Sequence, residues 1–153
     1  MNTKTLRSIS GLKIFIIAIC WVLIIVGIPI VEAEVIMTAD IYIKSLQIFF
    51  FVIAITLPFE IRDMDTDPSF LATIPQKIGV KNTKLLGLIL LISFLLLEFF
   101  KDELLEQNLL VLPLVFVISV LAVLLSKEKQ SKYYASFWVE GIPILWFLLI
   151  LFI

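Results

Sequence analysis

Histidine is absent from this sequence, and cysteine occurs once, as Cys20. Without histidine the chain cannot form a Ser-His-Asp triad or a zinc site with histidine ligands, and it lacks the most common general base of enzymes. A single cysteine excludes an intramolecular disulfide and a cysteine-based metal cluster. Any chemistry must therefore rest on carboxylates, cations and a metal ion that prefers oxygen ligands.

Charged residues are also scarce. They make up 16% of the 153 residues, while 61% are hydrophobic; an ordinary soluble domain has about 25% charged residues. The net charge is −1 and no Lys/Arg-rich stretch with interleaved aromatic residues occurs, which argues against a nucleic-acid partner. The charges lie in short clusters between long apolar runs, as in membrane proteins. The lipid bilayer is therefore the expected solvent and partner.

Five apolar runs have about the length that a membrane-crossing helix needs, which is roughly 20 residues. They cover residues 14–31, 41–59, 85–100, 109–126 and 133–153. None of the runs alternates apolar with polar residues, so membrane-spanning strands are a poor alternative. We predict an all-α fold, in which residues 1–153 form one integral membrane domain of about five transmembrane helices. An acidic loop, residues 60–84, connects the second and third helices.

The positive charges predict the orientation, because Lys and Arg accumulate in cytoplasmic loops. Ten of the twelve Lys and Arg residues precede the first run or lie in the second and fourth loops; the exceptions are Lys44 and Lys101. The other two loops carry the acidic residues Glu32, Glu34, Asp40, Asp102, Glu103 and Glu106. We expect a multi-pass protein of a bacterial-type inner membrane, with a cytoplasmic N-terminus and an external C-terminus.

A secretory signal is an alternative interpretation of the N-terminal segment. Basic residues precede an apolar stretch, and residues 31–33 then resemble a cleavage site with small residues. The apolar stretch is longer than the apolar core of a signal peptide, which usually has about 7 to 15 residues. We therefore expect a first transmembrane helix, with cleavage as the open alternative.

Acidic residues cluster where the second apolar run ends. If its helix continues, Glu60, Asp63 and Asp67 project on one face, within about 60° of one another, while Asp65 points elsewhere. Three carboxylates at the negative end of a helix repel one another, and a bound cation would relieve the repulsion. Oxygen-only ligands favour Mg²⁺, which typically also binds water and substrate phosphate. The sequence thus predicts Glu60, Asp63 and Asp67 as Mg²⁺ ligands.

Three nearby cations are candidate contacts for a phosphate group. Arg62, Lys77 and Lys81 follow the apolar run closely; arginine binds phosphate through a planar fork and lysine as a point charge. The competing interpretation is that acids and bases beside a membrane helix are ordinary loop residues, and that these lysines only determine the orientation. From the residues alone, both interpretations remain open.

This stretch resembles the second acidic motif of the UbiA-type prenyltransferases, which reads D-x-x-D-x-x-x-D followed by a T-L-P-x-x-x-G-like segment. The matching residues lie at positions 60–67 and 73–79, and Leu12-Lys13 is similar to a Leu-Lys pair that begins the family's fifth helix. Glu60 stands where the family usually has Asp. The resemblance implies that the five runs correspond to helices five to nine of a nine-helix fold. It also implies Mg²⁺-dependent binding of an isoprenoid diphosphate for prenyl transfer to an acceptor.

No stretch of this sequence resembles the family's first acidic motif, N-D-x-x-D. The resemblance therefore implies a partial or truncated enzyme, and we expect the chain alone to bind diphosphate weakly and to be inactive unless a second polypeptide supplies that motif. The main alternative is a small, non-enzymatic membrane scaffold or interaction protein. A transporter half would need polar groups along the helices, and apart from Glu140 few occur.

Glu140 lies inside the last apolar run, about 8 residues from its start, where an ionisable side chain is costly enough to suggest a function. It either faces the same cavity as Asp63, or it is protonated or hydrogen-bonded to a neighbouring helix. Tyr133, Tyr134 and Trp138 precede it. These aromatic residues fit an interfacial belt, although the walls of an isoprenoid cavity would use the same residue types.

Overall fold

Five helices form the computed structural model of the chain, which describes residues 12–66, 73–131 and 133–152. They are α1 (Leu12–Glu32), α2 (Ala39–Asp63), α3 (Ile74–Phe100), α4 (Glu106–Leu125) and α5 (Tyr134–Phe152). All five are long and apolar enough to cross a membrane, and the described residues contain no strand. The predicted all-α bundle with five membrane-spanning helices is confirmed.

Helix α2 is the centre of the bundle. Half of its most apolar 18-residue window is buried, against 17–28% for the corresponding windows of the other helices. Helix α1 packs mainly against α2, α3 packs against α2 and α4, and α5 packs mainly against α4. Three aromatic rings from α2, α3 and α5, those of Phe51, Phe94 and Trp146, meet with centroids 5.0–5.5 Å apart. Bundle stability therefore depends on contacts to the buried faces of α2.

Helix α3 begins at Ile74, eleven residues before the apolar run predicted from sequence. Its start is held by Gln76, whose side-chain oxygen accepts the Thr73 N–H at 3.0 Å and whose amide donates to the Met64 carbonyl at 3.0 Å. Gly79 then interrupts the helix with φ 77° and ψ 160°, a conformation almost restricted to glycine. Residues 60–63 and 74–84 of the predicted loop 60–84 therefore belong to α2 and α3. The helices extend beyond the apolar runs into polar residues, which hydropathy does not detect.

Helix α2 ends at Asp63, whereas the common face of Glu60, Asp63 and Asp67 was predicted for a helix that continues to Asp67. The Thr66 N–H and hydroxyl both donate to the Asp63 carbonyl at 3.0 Å, which closes a turn over Met64–Thr66. Glu60 and Asp63 lie within the helix. Asp67, the third predicted ligand, lies outside the described residues.

The bundle has two ends. We call the end where the α2–α3 connection and the α4–α5 connection lie the acidic-loop end; there, Gln130 donates to the Pro58 carbonyl at 2.9 Å. At the opposite end, the Asp40 carboxylate accepts the N–H groups of Asp102 and Glu103, so the α1–α2 and α3–α4 connections meet. Successive helices run in opposite directions, which is the arrangement that five spans require.

A buried polar cluster lies near the opposite end, within helices that are otherwise apolar. Glu98 is 2% exposed. Its carboxylate accepts hydrogen bonds from Gln47 at 3.0 Å and Asn108 at 2.8 Å, and it forms an ion pair with Lys101. Lys44 lies beside the cluster, with its ammonium 5.0 Å from the centroid of a Trp146 ring. Groups buried at this depth are stable only when they are paired, so the cluster holds α2, α3 and α4 together.

Candidate functional site

A groove at the acidic-loop end combines apolar walls with charged residues. It lies between α1 and α5, has α2 as its floor, and encloses about 610 Å³. We call it the α1–α5 groove. Its apolar lining consists of Ile14, Ile17 and Trp21 from α1, Val52, Ile55 and Phe59 from α2, and Val139, Pro143 and Ile144 from α5. Its charged lining consists of Lys13, Glu60, Arg62, Asp63 and Glu140. A molecule with an apolar tail and a charged head would fit this division.

Glu60 joins the floor of the groove to the start of α3. Its side chain is buried, and its Oε2 atom accepts the Ile74 N–H at 3.2 Å. An N–H group in the first turn of a helix has no partner within that helix, and a carboxylate there is favoured by the helix dipole. Glu60 therefore has a structural role in this conformation, which the spacing of the acids did not predict.

Arg62 binds the carboxylate of its neighbour Asp63 through two hydrogen bonds. Its Nε donates to Oδ1 at 2.6 Å and its Nη2 donates to Oδ2 at 3.0 Å. The remaining nitrogen, Nη1, donates to the Ser136 hydroxyl at 3.3 Å, and the guanidinium lies 5.5 Å from the centroid of the Phe59 ring. Arg62 thus links α2 to the first turns of α5 and occupies both oxygens of a predicted metal ligand.

The predicted Mg²⁺ site is described only in part. Glu60 and Asp63 line the same groove, as their spacing on one helix face indicates. Among the residues that the structure describes, no group of three or more acidic or cysteine side chains is arranged to hold a metal ion, and the third predicted ligand, Asp67, lies outside them. Metal binding through these acids therefore stays a prediction.

The three predicted phosphate contacts do not share one cavity. Arg62 lines the α1–α5 groove, whereas Lys77 lines a second cavity of about 580 Å³ together with Met64, Gln76 and Glu128. Lys81 is exposed and lines neither cavity. The break at Gly79 lies between Lys77 and Lys81, so it separates Lys77, but not Lys81, from the body of α3. Proximity in sequence thus does not bring these lysines to Arg62.

Glu140 lines the α1–α5 groove together with Asp63, the first of the two placements considered for it. It follows a π-helical segment, Tyr134–Val139, that opens α5; such segments occur frequently at functional sites. Its side chain is exposed and makes no hydrogen bond or ion pair with another described residue, although its charge attracts Arg62. The role of Glu140 in binding stays a prediction.

The aromatic residues before Glu140 do not line the groove. Tyr133 and Trp138 are 78% and 69% exposed on the outside of the bundle, where an interfacial belt would lie. Tyr134 instead donates its hydroxyl to the Ala122 carbonyl at 2.8 Å and joins α5 to α4. The aromatic walls of the groove come from Trp21 and Phe59, which the sequence had not singled out.

Lys13 is the charged groove residue that reasoning from sequence missed as part of a site. It was interpreted as a determinant of orientation and as half of the Leu-Lys pair, but it lines the groove opposite the acids of α2. One feature of the sequence could have indicated this role. Lys13 lies at the start of α1, at the same end of the bundle as Asp63, and a residue there can contact Asp63.

The five apolar helices suit a multi-pass membrane protein, and the groove places charged and apolar side chains side by side. No protein-family model, curated protein or solved structure matches the chain. The resemblance to UbiA-type prenyltransferases therefore rests on the residues at positions 12–13, 60–67 and 73–79.

Proposed function

We propose that the chain binds an isoprenoid diphosphate in the α1–α5 groove with the help of Mg²⁺, as a partial or truncated UbiA-type prenyltransferase. The observation that carries the proposal is the division of one groove into apolar walls and a charged region that contains Glu60, Arg62 and Asp63. An isoprenoid tail would bury apolar surface against Ile17, Val52 and Ile55, and the diphosphate would lie at the charged region.

The charges of the groove explain why a metal ion is needed. The lining contains two cations, Lys13 and Arg62, and three carboxylates, Glu60, Asp63 and Glu140. A diphosphate without a counterion would meet a region with more negative than positive groups, and binding would be opposed by charge repulsion. A divalent cation placed between phosphate and carboxylate attracts both groups, so the interaction of the diphosphate with the groove becomes favourable. Mg²⁺ is usually held in this way in phosphate-binding sites.

Binding also requires Arg62 and Asp63 to exchange partners. In the structure each satisfies the other through two hydrogen bonds. In the proposed complex Arg62 donates to the diphosphate and Asp63 accepts the metal ion, so that both charge-assisted contacts are replaced and neither group is left unpaired. Arg62 Nη1 also donates to the Ser136 hydroxyl at 3.3 Å. This hydrogen bond would break as well when Arg62 turns to the diphosphate.

Catalysis by the chain alone is expected to be poor. Ionisation of a diphosphate needs metal ions and donors around the whole leaving group, in a site that excludes water. The groove supplies one cluster of carboxylates and is open on one side, where Ile144 is 63% exposed. We propose that a second polypeptide completes the site, and that the acidic-loop end faces the cytoplasm, as the distribution of Lys and Arg predicts.

The proposal is tested by measuring binding of geranylgeranyl diphosphate to the purified chain in lipid nanodiscs. We expect saturable binding with Mg²⁺ and little binding with EDTA. Loss of one charge-assisted contact corresponds to about 1.5–3 kcal/mol, so Asp63→Asn is expected to weaken binding roughly 10-fold to 100-fold. Asp65→Asn is the matched control, because Asp65 is exposed two residues further on and does not line the groove. Equal binding by both variants, or binding unaffected by EDTA, would contradict the proposal.

A non-enzymatic scaffold is the second candidate, and one observation favours it. Arg62 bridges Asp63 on α2 and Ser136 on α5, which is what a purely structural ion pair would do. This alternative predicts that Asp63→Asn lowers the free energy of unfolding, and that neither the wild type nor the variant binds geranylgeranyl diphosphate with Mg²⁺ present.

A further inference from the structure

The open side of the α1–α5 groove exposes a carboxylate to the surroundings of the bundle. Glu140 lies in α5 six residues after Tyr134, a depth of roughly 9 Å along the helix at 1.5 Å per residue. Its side chain is exposed and has no hydrogen bond or ion pair within the described part of the chain. A charge facing lipid at such a depth is unfavourable, and charged groups within membrane-spanning segments usually face protein or water.

The groove is open because its two walls belong to different parts of the bundle. Helix α1 packs mainly against α2, and α5 packs mainly against α4, so the walls do not close over the α2 floor. The wall residues Trp21 and Ile144 are 40% and 63% exposed, which leaves an apolar rim around the charged lining. The surface thus has the composition of an interface, with an apolar perimeter around charged side chains.

We propose that a second copy of this chain covers the α1–α5 groove, forming a two-fold symmetric dimer in the membrane. In such a dimer the same surface of each copy contacts the other, so the surface must complement itself. The groove meets this condition, because two exposed side chains of opposite charge, Lys13 and Glu140, both line it. Each exposed Glu140 would face Lys13 of the other copy, and the apolar rims would pack together.

The symmetry fixes how the two copies are arranged in the bilayer. Both have the same orientation in the membrane, so the two-fold axis runs along the membrane normal and both acidic-loop ends lie on the same side. The two grooves then open toward one another and enclose a shared cavity. This last consequence rests on the proposed function: the second copy would supply the second acidic cluster that one chain lacks.

Cross-linking between single cysteines tests the dimer without any ligand. The native thiol is removed by Cys20→Ala, and a cysteine is introduced by Ile144→Cys at the groove rim. The matched control is Leu121→Cys on α4, which is 51% exposed and does not line the groove. We expect a short bis-maleimide to cross-link the Ile144→Cys variant to a dimer in membranes, and the Leu121→Cys variant to remain monomeric. Equal cross-linking at both sites would show random collision and would overturn the proposal.

A second measurement tests the charge argument on the unmodified surface. The dimer dissociation constant is measured in liposomes by counting photobleaching steps of labelled protein over a range of protein-to-lipid ratios. Glu140→Ala is expected to raise this constant at least about tenfold, because the partner's cations lose their counter-charge. Glu128→Ala, which removes an exposed carboxylate outside the groove, is expected to leave it unchanged. A wild-type chain that stays monomeric at all ratios would mean that lipid covers the groove instead, and would overturn the proposal.

The two proposals fail in different ways. A dimer that does not bind geranylgeranyl diphosphate would contradict the proposed function and leave the dimer supported. A monomer that binds the diphosphate with Mg²⁺ would support the proposed function and contradict the dimer.

Discussion

Replacing Gly87 by alanine tests a close approach between α3 and its neighbours α2 and α4. A Cβ atom at this position would lie 2.9 Å from Val123 Cγ1 and 3.1 Å from Leu57 Cδ1. Both distances are shorter than ordinary van der Waals contact, and Gly87 is buried where α3 meets α2 and α4. Overpacking of this kind typically costs about 1–3 kcal/mol. Alanine also favours the helix over glycine by about 0.8–1.0 kcal/mol, so we expect a net loss of about 1 kcal/mol.

Gly27 provides the control, because its added Cβ would have Leu23 Cδ2 as its nearest neighbour, at 3.7 Å. Gly27→Ala is therefore expected to be neutral or stabilising, and the difference between the two variants isolates the overpacking. The assay is unfolding of the protein in bicelles by SDS titration, with the free energy of unfolding as the readout. A Gly87→Ala variant as stable as Gly27→Ala would refute the packing of α3 against α2 and α4.

A double-mutant cycle sharpens the test. Val123→Ala removes the methyl groups that the new Cβ would meet, and alone it is expected to cost about 0.5–3 kcal/mol through the cavity that it leaves. Combined with Gly87→Ala, the loss should be smaller than the sum of the two single losses by at least about 0.5 kcal/mol, because directly contacting residues couple. Strict additivity would contradict the contact.

Three further predictions use the same unfolding assay. Gly79→Ala is expected to destabilise the protein by about 1–3 kcal/mol through backbone strain alone, because φ is +77° and no atom lies within 4 Å of the added Cβ; an unchanged free energy of unfolding would mean that α3 is not broken there. Glu98→Leu is expected to cost about 3 kcal/mol or more by leaving buried donors unpaired, and Glu98→Gln less; equal losses would show that the charge is unimportant. Glu60→Gln keeps an acceptor for the Ile74 N–H and should cost no more than about 1 kcal/mol, whereas Glu60→Leu should cost more; the reverse order would contradict the hydrogen bond.

The number and class of helices and most of their ends followed from the apolar runs, but the start of α3 did not. Hydropathy identifies only the part of a helix that is apolar enough for the bilayer. Helix α3 begins with polar residues, among them Gln76 and Lys77, so hydropathy does not find its start. Its start depends on hydrogen bonds from Gln76 to residues on both sides of the α2–α3 connection. The spacing of residues in the sequence does not predict such hydrogen bonds.

The candidate site was predictable where its residues share one helix and unpredictable where they do not. Glu60 and Asp63 are one turn apart, so their common groove follows from helix geometry. Lys13 lies about fifty residues away on another helix, and the packing of α1 against α2 was needed to place it. Glu98 was missed for the same reason, since its hydrogen-bond partners come from other segments of the chain.

In the proposed complex, a carboxylate of α2 holds a divalent cation, and the cation in turn holds the diphosphate. Substituting Mn²⁺ for Mg²⁺ makes this contact visible, because a phosphate bound directly to Mn²⁺ gives a ³¹P hyperfine coupling in pulsed electron paramagnetic resonance. We predict this coupling for the wild-type chain with geranylgeranyl diphosphate and its loss in Asp63→Asn, with Asp65→Asn unchanged. The same coupling in Asp63→Asn, or none in the wild type, would contradict the account.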